Sequence, residues 1–428
     1  MKKAVVFIFI FGFHFLFAQN VAVVDSLLLR LKKAHDTSRV NLYNLIGYEY
    51  RNSEITKTDS FANLAIELSQ KNNFLKGLGH AYINKGFVYK MSGEYAKAIE
   101  SYKDALVNFV KANYKPGYAT VYNNTASVYY LQSNYVKAQY YYFQALNISE
   151  ELKDDIGTAR TLNNIGAVYM EQSQFDKAVK YFLRAFDLLE HKDPNQAADC
   201  LNNIGTVYQY LGDTAKAIRN YQKSIEINKM LGDKKDVSYI LNNIGYMFFE
   251  SHQYKLALDH YFQSLQIDED IGDIRAQSTS YGVIANCYIR LNMMHTAEKY
   301  ALLMLNTAKQ HNIQTDMIDA YHYLDTIAEA NGNFKLALSY HKLFKAYTDS
   351  VYNEKNRSAQ EQLETIYQKD RGERDKYISA KEDELKKFKA KEKEKEISHY
   401  ILLIGMVLLL FVLSIYVIFF LLRRNKFS

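Results

Sequence analysis

Between residues 37 and 350 the chain repeats one pattern of small, apolar and polar positions every 39 or 40 residues. Three copies share the string Leu-Asn-Asn-Ile-Gly, which ends at Gly166, Gly205 and Gly245. An aromatic residue follows each glycine after three positions, an alanine after twelve and a second aromatic after sixteen. Apolar residues recur with the period of an amphipathic helix, and no sustained alternation typical of strands competes with it. The pattern predicts an all-α array of helical hairpins.

The same frame continues in both directions, and the end copies are the most degenerate. The position of the glycine, which we call the anchor of each repeat, falls at residues 47, 86, 126, 166, 205, 245, 285 and 325. We expect the small anchor and the alanine twelve residues later to lie where the two helices of a hairpin cross closely. The aromatics should fill the space between hairpins. Gly-Asp pairs at 232–233 and 272–273 predict the ends of second helices.

This arrangement resembles the tetratricopeptide repeat, with Leu-Gly-x-x-Tyr in the first helix and Ala-x-x-x-Tyr/Phe-x-x-Ala in the second. The resemblance implies a superhelical solenoid of about eight hairpins over residues 37–350, with a concave groove lined by first helices. Each unit is five or six residues longer than the usual period of 34, so we expect longer helices or longer connections. The proline that usually closes a repeat is nearly absent, since only Pro116 and Pro194 occur.

Such a groove would bind a protein or peptide ligand, and one polar position stands out as its candidate contact. Five consecutive repeats carry asparagine two residues before the anchor: Asn84, Asn124, Asn164, Asn203 and Asn243. An amide both donates and accepts, so this row could pair with a peptide backbone without selecting its sequence. The alternative is that these asparagines bond locally and were copied with the repeat. Adjacent asparagines, such as Asn163 beside Asn164, leave open which of each pair faces the groove.

The two ends of the chain predict export and anchoring. Lys2 and Lys3 precede an uncharged run from Ala4 to Phe17 and the small residue Ala18, which is typical of a secretory signal peptide over residues 1–18. Residues 19–36 then form an N-terminal capping helix. Near the other end, Tyr400–Leu422 carry no charge over 23 residues, enough for one transmembrane helix at 399–422.

The basic residues after that span predict the orientation of the chain. Residues 423–428 contain Arg423, Arg424 and Lys426, which the positive-inside rule places in the cytoplasm. We therefore expect a single-pass protein of the inner membrane, with the repeats in the periplasm and the C-terminus in the cytoplasm.

Residues 351–398 predict a charged helical stalk between the repeats and the span. From Glu354 to Ser398 the chain has 13 basic and 12 acidic residues. A short apolar seam, which includes Leu385 and Phe388, suggests a coiled coil and a homodimer. The alternative is a single solvated helix, because the seam is not sustained over several heptads.

Charge and motifs narrow the function classes. The net charge of +6 comes from the ends and the stalk, so the repeats from Gln19 to Asn353 are formally neutral. Nucleic-acid binding requires a basic surface, and we expect none. No motif for catalysis, cofactor or metal binding occurs, so we expect a protein that is not an enzyme. Cys200 and Cys287 fall in first helices two repeats apart, which predicts buried, unpaired thiols.

The order of these segments resembles a wider family. The chain has a signal, long repeats, a Lys/Glu-rich helix and one span, in that order. It also has the run that starts at Asp25 and the string Asp36-Thr-Ser-Arg-Val. In these features it is similar to the sensory half of Bacteroidota tetratricopeptide-containing sensor histidine kinases, without the kinase domain. The resemblance implies a sensor-like subunit that feeds a separate signalling protein. The alternatives are a passive envelope assembly scaffold and a remnant of such a kinase that lost its output domain.

Overall fold

The computed structural model describes residues 15–351 and, further along, residues 383, 386 and 387. Every regular element between 15 and 351 is helical, as the periodicity predicts. Helix α1 (Phe15–Leu31) precedes the repeats and ends at Leu31 rather than at the expected residue 36. It includes residue 18, where the sequence predicts cleavage, and the signal peptide stays a prediction because residues 1–14 lie outside the described part.

Eight helical hairpins follow, and their number agrees with the eight anchors of the sequence. They are α2 (Asp36–Glu49) with α3 (Ile55–Lys71), α4 (Leu75–Met91) with α5 (Tyr95–Lys111), α6 (Lys115–Leu131) with α7 (Tyr135–Glu151), α8 (Asp155–Glu171) with α9 (Phe175–Leu189), α10 (Pro194–Tyr210) with α11 (Thr214–Leu231), α12 (Lys234–Glu250) with α13 (Tyr254–Ile271), α14 (Ile274–Arg290) with α15 (Met294–Gln310), and α16 (Gln314–Ala330) with α17 (334–351). A short 3-10 turn, Tyr50–Asn52, follows α2.

The extra length of each repeat lies in its helices and not in the connections. Helices α3, α4 and α5 have 17 residues each, and only residues 72–74 separate the first two of them. The Gly-Asp pairs end second helices, as predicted. Gly232 has a φ of 74°, the left-handed conformation that suits glycine, and the Asp233 side chain then accepts from the Asp236 N–H at 3.1 Å to start α12.

The core explains why the anchor is small. A Cβ placed on Gly86 would lie 2.4 Å from Cε1 of Tyr102, and one on Gly205 would lie 2.7 Å from Cδ1 of Tyr221. Both tyrosine rings are fully buried. The predicted close crossing is therefore confirmed, because the missing side chain leaves room for a ring over the glycine. The same rings also pack against the next hairpin, as predicted: Tyr102 shares a buried cluster with Val121 of α6.

Further aromatics pack between the second helices of neighbouring hairpins. The ring centroids of Phe143 in α7 and Tyr181 in α9 lie 6.4 Å apart. Those of Phe262 in α13 and Tyr300 in α15 lie 5.9 Å apart. Contacts of this kind join the second helices of neighbouring repeats, so the hairpins form one continuous stack between residues 36 and 351.

The predicted stalk and membrane span fall almost entirely outside the described residues. None of the helices within the described ranges is long and apolar enough to cross a membrane. The span Tyr400–Leu422 is not among them and stays a prediction, as does dimerisation through residues 351–398.

Candidate functional site: the first-helix face

The surface that first helices leave outside the core, from α2 to α16, is called here the first-helix face. Paired asparagines join consecutive first helices across it. Asn203 Nδ2 donates to Asn163 Oδ1 at 3.0 Å, and Asn243 Nδ2 donates to Asn202 Oδ1 at 3.0 Å. Asn164 Nδ2 reaches Asn123 Oδ1 at 3.2 Å in the same way. In the pairs 163–164 and 202–203 both members therefore take part, the second as donor to the preceding repeat and the first as acceptor from the next.

The first two members of the predicted row behave differently. Asn84 is only 3% exposed; its Nδ2 donates to the Asn44 carbonyl at 3.0 Å, and its Oδ1 accepts from Arg51 Nη2 at 2.8 Å. Asn124 Nδ2 donates to the carbonyl of Thr120 in its own helix at 2.9 Å. The five asparagines are therefore not equivalent, and Asn124 bonds as the local alternative describes.

A polar row is nevertheless still open to a ligand in the middle of the face. Among the described residues, no donor reaches Oδ1 of Asn164, Asn203 or Asn243. Each of these amides thus keeps an acceptor while its Nδ2 ties two repeats together. The role of these asparagines in peptide binding stays a prediction. Their Nδ2 atoms already donate to the preceding repeat, so only Oδ1 is left for a ligand.

Three exposed tyrosines lie on the neighbouring first helices α10 and α12. Tyr210 and Tyr239 are 60% exposed, and Tyr246 is 48% exposed. Tyr210 also stacks on Phe175, with ring centroids 5.5 Å apart. The repeat pattern alone does not single out these tyrosines. The signal that distinguishes them is their position, because none occupies an aromatic position that the repeat uses for its core.

A cation–aromatic cluster lies at the first two repeats. The Arg51 guanidinium lies 4.8 Å from the ring centroid of Tyr48 and 4.7 Å from that of Phe87. Lys90 Nζ lies 4.9 Å from the Phe87 centroid and 3.5 Å from Ser127 Oγ. Burial lowers the pKa of both cations, and the charge of Arg51 adds to the lowering at Lys90.

Neither cation is compensated by an acid. No ion pair between residues 23 and 351 includes Arg51 or Lys90. Helix α4 has three lysines, Lys76, Lys85 and Lys90, and no acidic residue. Burial, with the charges of Lys76 and Arg51, lowers the pKa of nearby His80 to about 4. His80 is therefore neutral at pH 7.

The repeats are formally neutral as a whole, but their charged residues are unevenly distributed. Helix α16 has the opposite composition, with four acidic residues and no lysine or arginine: Asp316, Asp319, Asp325 and Glu329. The first helix of the second repeat is thus basic in composition and that of the eighth is acidic.

The cysteines lie inside the core and not on this face. Cys200 and Cys287 are buried and unpaired, as the repeat spacing predicts. Burial raises the pKa of each thiol to about 12, so both are protonated at neutral pH. Within the described ranges, no group of three histidine, cysteine or acidic side chains is placed to hold a metal ion.

Comparison with known proteins agrees with this architecture. The tetratricopeptide repeat model matches residues 42–151 and 157–230. No curated protein sequence matches the chain.

Solved structures share the fold at low sequence identity. One is a signal transduction ATPase with numerous domains and a tetratricopeptide repeat sensor from Pyrococcus horikoshii, with 17% identity, a TM-score of 0.57, and 78% of this chain and 53% of that one covered. The present chain thus spans about half the length of that protein. Aspartyl phosphate phosphatase F from Bacillus subtilis has 15% identity, a TM-score of 0.52, and coverages of 79% and 91%.

A third structure is a Rap protein complexed with competence and sporulation factor, with 14% identity, a TM-score of 0.51, and coverages of 78% and 94%. Together these matches show that the described part of the chain has the tetratricopeptide-repeat fold. The expected relation to sensor histidine kinases stays a prediction.

Proposed function

We propose that the repeats bind a protein or peptide segment along the first-helix face. The observation that carries this proposal is the exposure of Tyr210, Tyr239 and Tyr246 on two neighbouring first helices. Tyrosine gives a large contact area at a small cost in side-chain entropy, and it is enriched where binding energy concentrates. The open amide oxygens of Asn164, Asn203 and Asn243 would supply polar contacts to the same segment.

The solved relatives support a binding role of this kind. One carries a tetratricopeptide repeat sensor, and another was solved in complex with competence and sporulation factor. Tetratricopeptide solenoids in general use extended surfaces of stacked repeats for binding. These likenesses concern the fold and do not identify the ligand of this chain.

The wider role in the proposal is that of a sensor-like subunit at the inner membrane. The repeats would lie in the periplasm, anchored by Tyr400–Leu422, and would feed a separate signalling protein through the stalk. A passive assembly scaffold and a sensor kinase remnant remain the alternatives. Replacing Tyr400–Leu422 by an unrelated apolar helix separates the first two: a relay should lose its downstream response, whereas a scaffold should keep its partners and its function.

The binding role is tested by crosslinking in native membranes with the full chain. The variant Tyr210→Ser/Tyr239→Ser/Tyr246→Ser should lose the captured partner. The matched control is Tyr140→Ser, because Tyr140 is 59% exposed but lies on the second helix α7. A partner that the triple variant captures as well as the native chain would contradict the proposal, and loss with Tyr140→Ser alone would move the binding surface to the second helices.

A further inference from the structure

A buried hydroxyl in repeat 2 has no hydrogen-bond partner. Tyr102 is fully buried over Gly86, and its Oη contacts no donor or acceptor within bonding distance. Tyr221 occupies the same place in repeat 5, sixteen residues after its anchor. Its O–H donates to Gln209 Oε1 at 2.9 Å, and Thr206 Oγ1 lies 3.1 Å from its Oη. A buried hydroxyl is normally satisfied in this way, so the difference between the two repeats needs a cause.

The two repeats differ in the side chains one and four residues after the anchor, and these side chains surround the tyrosine hydroxyl. Repeat 5 has Thr206 and Gln209 at these positions, and repeat 2 has Phe87 and Lys90. A phenyl ring offers no acceptor oxygen, and an ammonium group only donates. The ring of Tyr102 rests on Gly86 as that of Tyr221 rests on Gly205, so both hydroxyls point to the same part of the hairpin. In repeat 2 that part of the first-helix face supplies donors alone.

Arg51 adds a second donor without a partner. Its Nη2 donates to Asn84, but its Nε–H is buried and bonds to nothing. The charge of Arg51 acts on both Tyr102 and Lys90. Burial raises the pKa of Tyr102, and the charge of Arg51 opposes that rise. Burial lowers the pKa of Lys90, and the charge of Arg51 lowers it further. Within the described part of the chain neither cation pairs with a carboxylate, both lie over the ring of Phe87, and the buried O–H of Tyr102 lies within range of the Arg51 charge.

We propose that Arg51, Lys90 and Tyr102 form an oxyanion-binding site for a carboxylate or phosphate group. An oxyanion accepts from Arg51 Nε, Lys90 Nζ and Tyr102 Oη together, and its negative charge offsets the two positive charges. A water molecule could accept from two of these donors but would leave the cations uncompensated. The inference rests on the proposed function for its natural source, an acidic or phosphorylated group of the segment on the first-helix face. Binding of a small anion tests the site by itself.

The test uses the purified full chain in detergent, with sodium acetate and inorganic phosphate as separate probes and ionic strength held constant with sodium chloride. Binding is measured by titration calorimetry and by the rise in melting temperature. We expect Tyr102→Phe to weaken binding roughly tenfold, because it removes one hydrogen bond to a charged group. Tyr221→Phe should leave anion binding unchanged. Arg51→Met should abolish it.

The outcomes separate the site from its alternatives. A response to acetate alone identifies a carboxylate site, and a response to phosphate alone identifies a phosphate site. If neither probe binds, or if Tyr102→Phe binds as the native chain does, the proposal is overturned and the cluster holds only water.

The proposed function can fail independently of this site. If the chain binds the anion but captures no partner, the oxyanion site is supported and the proposed peptide binding is contradicted. A partner lost with Tyr210→Ser/Tyr239→Ser/Tyr246→Ser but kept with Arg51→Met would support the peptide role and show that the partner does not use the oxyanion site.

Discussion

Repeats 2 and 5 bury the same tyrosine over the same glycine and surround its hydroxyl with different side chains. In repeat 5, Thr206 and Gln209 satisfy Tyr221 within the hairpin. In repeat 2, Phe87 and Lys90 leave Tyr102 without an acceptor, and Arg51 brings a second positive charge beside them. The comparison separates two kinds of position. The anchor and the buried ring are constrained by packing, whereas the neighbouring face positions can change chemistry without changing the hairpin.

The largest expected effect tests whether the two repeats share their packing. Gly86→Val and Gly205→Val should each lower the free energy of unfolding by about 3 kcal/mol, because the new side chain collides with a buried tyrosine ring. Chemical denaturation followed by circular dichroism measures the loss. Gly212→Ala is the control, since open space surrounds that turn glycine and only its φ of 75° is unfavourable for alanine. Clearly unequal losses for the two valine variants would contradict a common packing.

The second effect tests the environment of His80 in repeat 2, where burial and the charges of Lys76 and Arg51 disfavour a charged ring. The folded-state pKa of His80 is about 4 and its ordinary value is 6.5, so folding favours the neutral ring. The stability that follows is complete above pH 6.5 and is lost as the pH falls toward 4. The loss should be on the order of 2 kcal/mol, and His80→Phe should remove it. An unchanged pH dependence in that variant, measured by denaturation at pH 4.5 and 7, would show that His80 is not the group responsible.

The third effect compares the two hydroxyls directly. Tyr221→Phe should cost about 1 kcal/mol, because it leaves Gln209 and Thr206 without their partner. Tyr102→Phe should cost nothing or stabilise the fold slightly, because its hydroxyl makes no hydrogen bond. A similar loss for both variants would mean that Tyr102 is satisfied in solution.

Exchanging two side chains of repeat 2 for those of repeat 5 tests the same difference between the repeats. Phe87→Thr combined with Lys90→Gln gives repeat 2 the acceptors of repeat 5. The double variant should lose anion binding, and its hydrogen bonds to Tyr102, worth about 1 kcal/mol, should offset part of the loss of the Phe87 ring that packs on Arg51. Retained affinity for acetate or phosphate, measured by calorimetry, would show that Lys90 and the free hydroxyl are not needed.

The smallest effect concerns the asparagines that lie between these repeats. Asn164→Ala should cost about 1 kcal/mol, because it breaks the hydrogen bond to Asn123 in the preceding repeat. Asn124→Ala should cost less than about 0.5 kcal/mol, because its side chain bonds only to the carbonyl of Thr120, one turn earlier in the same helix. Equal losses by denaturation would contradict the distinction between a bond that joins repeats and a local one.

The repeat pattern alone predicts the fold and the number of hairpins. The period, the small anchors and the helix-ending glycines are local or strictly repeated features, so they can be recognised without knowing what contacts what. It also predicted the asparagine row and the unpaired cysteines. It did not single out the exposed tyrosines, whose positions become informative once the core aromatics are set apart from the rest.

Which polar side chains are already hydrogen-bonded and which are open is visible only once the repeats are stacked. Asn84 and Asn203 look alike in the sequence, and each donates to the preceding repeat, but the Oδ1 of Asn84 is taken by Arg51 and that of Asn203 is open. The unpaired hydroxyl of Tyr102 depends on three helices, and its environment combines Arg51 of repeat 1 with Lys90 of repeat 2. Hydrogen bonds between repeats join residues about 40 positions apart, and their partners are set by stacking geometry, which no single repeat encodes.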